Sequence, residues 1–324
     1  QARIEDVDIV TLDGDVMYRQ SLLRAMAIAA GRAEVMEEKD SSMVKTLQTE
    51  YPVISREEAL HQGTLILVAE DNDINQKVIK QQLNLLGFAA DIANNGREAL
   101  KRLQSCPYGL LLTDLHMPEM DGFELTQNVR TLESRHKHMP IVALTANALK
   151  GEREHCLSVG MDDYLSKPAQ LEDLRAILEK YLRHDPSIPL TAPQTSIPVQ
   201  IQNPDASDLP VDVHVLEQLI GNDRDTINEM LQDFQVSATS MLEALHIAFH
   251  AGQYAEVVRI AHKLKSSARS IGALELGEIG AKMEQAGKNN DDKTLTALLP
   301  GLETEWVKVN AYLKSLCNSD GQAK

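Results

Sequence analysis

The 324-residue sequence has few aromatic residues, 4% in all, and a single Trp. That leaves little material for the ring platforms on which nucleic-acid bases stack. Positive charge is short as well: 32 Lys and Arg stand against 48 Asp and Glu, for a formal net charge of −16. General nucleic-acid binding needs a basic surface, and this composition argues against it. Cys106, Cys156 and Cys317 are odd in number, widely spaced and without metal-ligand spacing, as reduced thiols of a cytosolic protein are. No stretch approaches the ~18 consecutive apolar residues that mark a membrane span. No signal peptide opens the chain, which starts at Gln1 rather than Met. The expectation is a cytoplasmic piece of a longer protein.

What remains is ordinary for a soluble globular protein, with 43% hydrophobic and 25% charged residues. The length suffices for two domains, each burying its own core. Residues 1–50 read as one strand over 7–12 and one helix over 22–30, a partial β-α tail of an upstream α/β domain, because such a unit cannot bury both faces of its strand. Residues 51–63 lack sustained periodicity and read as linker. From 64 to 184 strands alternate with helices five times, which predicts a doubly wound five-stranded parallel sheet of flavodoxin-like type. Residues 185–210 hold Pro186, Pro189, Pro193, Pro198, Pro204 and Pro210 among Ser, Thr, Gln and Asn, the composition of an extended linker. From 211 to 318 the period is helical throughout, predicting an all-α bundle whose last helix is kinked or broken at Pro300.

The α/β half is organised around Leu110-Leu-Leu-Thr-Asp114. Its apolar run fits a parallel strand buried on both faces, and Asp114 sits at the carboxyl end, where open α/β sheets place their sites. Asp121 and Glu124 then carry capping-box spacing for the next helix. Three other strand ends supply matching chemistry: the adjacent carboxylates Glu70 and Asp71, the Thr145 hydroxyl and the Lys167 ammonium. Clustered carboxylates suit a hard cation such as Mg²⁺, which keeps waters free for phosphate oxygens. A nucleophilic carboxylate, a metal, a hydroxyl and a cation are the parts phosphoryl transfer needs. No Gly-rich phosphate loop is present, so the phosphoryl donor is not expected to be ATP bound by this chain.

These motifs, Glu70-Asp-Asn72, Asp114 followed by Met-Pro-Glu-Met-Asp-Gly122, Thr145-Ala-Asn147 and Lys167-Pro168, closely resemble those of response-regulator receiver domains. The resemblance implies Mg²⁺ held by Glu70, Asp71, Asp114 and the carbonyl of His116. It implies Asp114 as phosphoacceptor, Thr145 and Lys167 as contacts of the phosphoryl oxygens, and Tyr164 as the aromatic that turns inward with Thr145 on activation. Lys167–Pro168 matches a bond usually cis. Glu70 departs from the commonest pattern, which has Asp there. Residues 1–50 resemble the tail of a degenerate receiver, without a Lys-Pro after the strand.

In the helical half, Val257, Ile260, Ala261, Leu264, Ala268 and Ile271 recur at core spacing. At ~100° per residue His262 falls about 160° from Leu264. It is therefore expected to be exposed, beside Arg259, Lys265, Ser266 and Arg269 and without a companion acid. An imidazole among cations is a competent phosphoryl acceptor. Ala261-His-Lys-Leu-Lys265 resembles the signature of the histidine phosphotransfer (Hpt) domain, with Ser266 where Gly is commonest.

Together the two halves look like the output end of a bacterial hybrid sensor histidine kinase. The implied partners are an upstream histidine kinase domain of the same parent, itself compatible with an inner-membrane anchor, and a separate downstream response regulator. The implied flow runs from the kinase histidine to Asp114, then to His262, then to that regulator. A phosphate sink or regulatory binding module without onward transfer is the alternative. The charge and the lack of a helix-turn-helix make a transcriptional regulator the weaker reading.

Overall fold

The computed structural model describes residues 2–6, 9–12, 54–132, 138–146, 150–182 and 209–319. The chain divides into two compact units, residues 1–49 and 50–324. In the first, β1 (Ala2–Asp6) and β2 (Ile9–Leu12) pair antiparallel, with Ala2 opposite Leu12 and Ile4 opposite Val10. The expected single strand over 7–12 is thus half of a hairpin-like pair, which a parallel β-α tail does not contain. The helix expected over 22–30 lies outside the described residues.

The second unit begins with α1 (Arg56–Gln62), in a stretch expected to be linker. Local chemistry explains the helix. Ser55 caps it by accepting from the Glu58 amide at 3.2 Å, and Gly63 ends it with φ of 69°. Ala59, buried, and Leu60, partly buried, anchor it to the α/β core, too few to give a periodic signal. A paired Arg56–Asp91 contact at 2.7–2.8 Å ties its start to the sheet.

The sheet has the order β4-β3-β5-β6-β7, all parallel. Its strands are β3 (Ile66–Ala69), β4 (Ala90–Ala93), β5 (Leu110–Asp114), β6 (Ile141–Thr145) and β7 (Asp163–Ser166). Between them run α2 (Asp73–Leu85), α3 (Gly96–Ser105), α4 (Gly122–Leu132) and α5 (Lys150–Val159), and α6 (Leu171–Leu182) follows. The central strands feed both faces alternately. Leu67, Ala69, Leu111, Ile141 and Ala143 pack on one side, and Ile66, Val68, Leu110, Leu112, Val142 and Leu144 on the other. This is why the strands read as unbroken apolar runs.

The bundle consists of α7 (Val213–Ile220), α8 (Arg224–His250), α9 (Tyr254–Ser270), α10 (Leu274–Lys288) and α11 (Asp292–Ser319). The expected break at Pro300 is absent: α11 runs through it as one helix. On the carbonyl that Pro300 presents, Thr304 Oγ1 makes a 2.8 Å hydrogen bond. The bundle core includes Phe234, Leu245, Leu264, Leu276, Met283 and Leu302, all at 0% exposure.

Two residues join that core from the other domain. On α2, Ile79 and Leu83 face the sheet, whereas Ile74 and Val78 pack into the bundle core. Both pairs have i, i+4 spacing, and their stripes lie about 140° apart around a 3.6-residue helix. One helix therefore serves two cores.

Candidate phosphotransfer site

The carboxyl ends of β3, β5, β6 and β7 converge, as parallel strands of one register must. Asp114 is 2% exposed and Glu70 1%. Lys167 Nζ bridges them, 2.8 Å from Asp114 Oδ2 and 2.5 Å from Glu70 Oε2. The backbone after β7 is set by the Lys167 amide, which donates to the Thr145 carbonyl at 2.7 Å, and by the cis Lys167–Pro168 bond. On the other side of Asp114, α4 starts close by. Asp121 Oδ1 accepts from the Glu124 amide at 2.8 Å, and a Cβ on Gly122 would come 2.3 Å from the Asp114 carbonyl. Only glycine allows that approach.

Ligand oxygens of Glu70, Asp71 and Asp114 lie within 4.8 Å of one another. An all-carboxylate set of this size suits a hard divalent cation, and the cluster can take one. Burial favours the neutral form of both deep carboxyls. At Glu70 it prevails and raises the pKa; at Asp114 it is outweighed by Lys167 and by His262, so that this carboxyl stays below the ordinary range. Asp114 is therefore held ionised. Thr145, 2% exposed, donates to Glu152 Oε2 at 2.7 Å. Tyr164 is half-buried with the Arg153 guanidinium 5.4 Å from its ring centroid.

The bundle covers this cleft. Asn72 caps α2 through its side-chain carbonyl, accepting from Ile74 and Asn75 amides at 3.0 and 3.3 Å, and its Nδ2 donates to the Lys263 carbonyl at 2.9 Å. Lys263 Nζ reaches Asp71, 2.8 Å from both its Oδ2 and its carbonyl. Asn75 meets Ser266 and Ser270. The His116 ring stands edge-on to the His262 ring, with centroids 5.3 Å apart and planes at 86°.

His262 is therefore 8% exposed, not exposed as its helical angle suggests. Glu284 and Lys265 of the bundle and the His116 ring of the docked α/β domain together cover it. Nor does it lack an acid. His262 Nδ1 lies 3.2 Å from Glu284 Oε1, and Glu284 is clamped by Lys265 and Lys288, each at 2.6 Å. Burial would raise the Glu284 pKa, but hydrogen bonds from His262, Lys265 and Lys288 overcome it and hold the carboxyl well below the usual range. A carboxylate on Nδ1 favours the tautomer with its proton there, leaving the lone pair on Nε2. Nε2 is buried and has no hydrogen-bond partner among the described residues.

Family models match in two blocks: the response regulator receiver domain over residues 66–179 and the Hpt domain over 229–313. The chain carries a receiver domain followed by an Hpt domain, the domains of two-component signalling. It is 33% identical over 256 residues to the sensor protein EvgS of Escherichia coli K12, across 79% of this chain and 20% of that protein. It is 46% identical over 120 residues to the hybrid signal transduction protein dokA of Dictyostelium discoideum, covering 37% of this chain and 7% of that one. Against the sensor histidine kinase RcsC of Salmonella typhi the identity is 37% over 137 residues, 42% of this chain and 14% of the relative. The chain spans a fifth or less of the length of these curated relatives. Among solved structures it is similar to the receiver domain of a Pseudomonas aeruginosa sensor histidine kinase, at 39% identity over 37% of this chain and 98% of that one, with a TM-score of 0.35. No helix among the described residues is long and apolar enough to cross a membrane.

The structure gathers Glu70, Asp71, Asp114, His116 and Lys167 in the receiver cleft and sets Lys265 and Ser266 at or beside the His262 ring. On the same helix Arg259 pairs with Glu256 at 2.5 Å and Arg269 with Glu278 at 2.6 Å. Sequence reasoning missed Lys263, Asn75, Glu284 and the His116 ring. Glu284 had a signal. Gly277, Gly280 and Gly287 share its face of α10, and a Cβ at Gly280 would come 3.1 Å from the Lys265 amide, so this face lies against α9. Read as a packing stripe, the glycines turn the Glu284 face of α10 toward the helix that carries His262.

Proposed function

We propose that this chain is a phosphorelay module in which Asp114 receives a phosphoryl group and passes it within the chain to His262. The observation that carries the reading is the burial of His262 against the receiver cleft, with Nδ1 occupied by Glu284 and Nε2 free. In the first step Asp114 Oδ attacks the phosphorus of a kinase phosphohistidine. The P–N bond breaks and the leaving imidazole takes a proton. In the second, His262 Nε2 attacks the aspartyl phosphate, the P–O bond to Asp114 breaks, and the carboxylate is regenerated. The proton stays on His262 Nδ1, where Glu284 balances the new positive charge.

Lys167 neutralises the carboxylate as it leaves and contacts the phosphoryl oxygens. Thr145 changes partner from Glu152 to those oxygens, and Tyr164 turns inward with it. Glu70, Asp71, Asp114 and the His116 carbonyl would hold Mg²⁺, which when bound offsets the charge of the phosphoryl oxygens. Lys265 keeps Glu284 in place, and small Ser266 leaves the ring open. Arg259 and Arg269 add positive potential on the His262 helix. His262 then donates to a separate response regulator, while the donor to Asp114 is a histidine kinase domain, in keeping with a hybrid kinase parent.

The test follows labelled phosphate from acetyl phosphate and Mg²⁺ in the wild type, Asp114→Asn and His262→Gln. Acid and alkali stability tell acyl phosphate from phosphohistidine. Phosphohistidine in the wild type and in neither variant is the expected result. Label confined to Asp114 in the wild type would mean a phosphate sink, and the relay would be rejected.

A further inference from the structure

One side chain at the domain boundary has all its polar atoms engaged by partners from both domains. Asn75, on the first turn of α2, is 8% exposed. Its Nδ2 donates to Glu70 Oε1 at 3.1 Å and to Ser266 Oγ at 2.8 Å, and its Oδ1 accepts from Ser270 Oγ at 3.1 Å. An amide offers two N–H groups and one carbonyl, so both donors are used and the acceptor is engaged. Ser266 and Ser270 stand one turn apart on α9 and are 6% and 4% exposed. The hydroxyl at position 266 replaces the glycine commonest in the resembling signature. It fills a docking role beyond merely staying small.

We propose that Asn75 is a specificity-determining residue: its amide matches this receiver to an Hpt surface bearing hydroxyls at positions 266 and 270. The discrimination comes from groups left unpaired. Against an Hpt surface with glycine at 266, one Asn75 N–H faces a dry boundary without an acceptor. A receiver with an apolar residue at 75 strands two buried hydroxyls. A buried polar group without a partner loses its hydration with no compensation, whereas removing both partners together is close to neutral. Glu70 ties this match to the reactive cleft, because the same amide nitrogen that meets Ser266 also holds a carboxylate of the metal cluster. The proposal rests on the reading that the docked pair is the transferring one.

A double-mutant cycle on the full chain tests it, with Asn75→Ala, the pair Ser266→Ala and Ser270→Ala, and all three changes together. Two readouts are taken. The first is the rate of His262 modification by diethyl pyrocarbonate, mapped by mass spectrometry, which reports undocking without any phosphate. The second is the half-time of transfer to His262 per labelled Asp114. Asn75→Ala and the serine pair are each expected to speed modification and slow transfer by about ten-fold or more, from the polar groups that each leaves without a partner. The triple variant is expected to be no worse than either, which also shows that it folds and docks. Effects that add in the triple variant, or a modification rate unchanged by Asn75→Ala, would overturn the proposal. A wild type that makes no phosphohistidine defeats the relay reading instead, and the modification rates still decide the pairing.

Discussion

The two buried polar centres of this chain, around Asp114 and His262, are built with charges reversed. At the receiver site two buried carboxylates, Asp114 and Glu70, share one ammonium from Lys167. At the Hpt site one buried carboxylate, Glu284, is shared by two ammoniums, Lys265 and Lys288, and by the imidazole it orients. The first arrangement leaves carboxylates in need of further cations, and Lys263 is placed to serve Asp71, as a divalent ion would be if bound. The second sets an imidazole among cations able to balance an arriving phosphoryl group. A net negative cleft therefore meets a net positive helix, which is the complementarity expected of an interface that orients as well as attracts.

The sharpest way to break the comparison is to remove the shared ammonium. Lys167→Ala leaves two buried carboxylates facing each other, and transfer from Asp114 to His262 is expected to fall by about 100-fold or more. Quench-flow measurement of phosphohistidine formation checks this, and a rate within three-fold of wild type would mean that Lys167 only shapes the resting state. On the opposite side, Glu284→Gln keeps the shape but loses the charge. Transfer is expected to slow by about ten-fold, the scale of one charge-assisted hydrogen bond, and ¹⁵N shifts of the His262 ring are expected to show a mixed tautomer.

The same variant carries a pH signature. The Glu284 pKa is lower folded than unfolded, so its ionised form adds stability above the unfolded value of ~4.3, lost as pH falls through the depressed value. Urea titrations of wild type and Glu284→Gln are expected to differ at pH 7 and to converge as pH drops below ~4. Divergence on acidification would have the wrong sign. The smallest effect belongs to the rim. Lys77 pairs with Asp233 across the domain boundary, both side chains being more than a third exposed. Lys77→Ala is expected to speed His262 modification by less than about three-fold, with the difference disappearing in high salt.

The receiver half was legible because its function and its fold write the same signal. Apolar runs end in Glu70, Asp114, Thr145 and Lys167, so locating the strands also locates the site. The capping role of Asp121 was readable from spacing alone. The Hpt half was legible as helices and as one histidine, but its surroundings were not. Glu284 is 22 residues from His262 and on another helix, and Asn75 is 191 residues from Ser266. Helical periodicity reports which residues share a face, and is silent on what lies opposite. That is also why the exposure of His262 was misjudged.

The double duty of α2 bears on how the molecule can be taken apart. Ile74 and Val78 belong to the bundle core although the receiver chain carries them. A cut between residues 183 and 208 would not yield two finished domains. The bundle would keep an open apolar slot where those two side chains had sat, and the receiver would carry two greasy studs on a helix next to its reactive cleft. Exposed patches of this kind seek other surfaces, including copies of themselves. Studied as separate pieces, each half would misreport its solubility, its oligomeric state and its choice of partners.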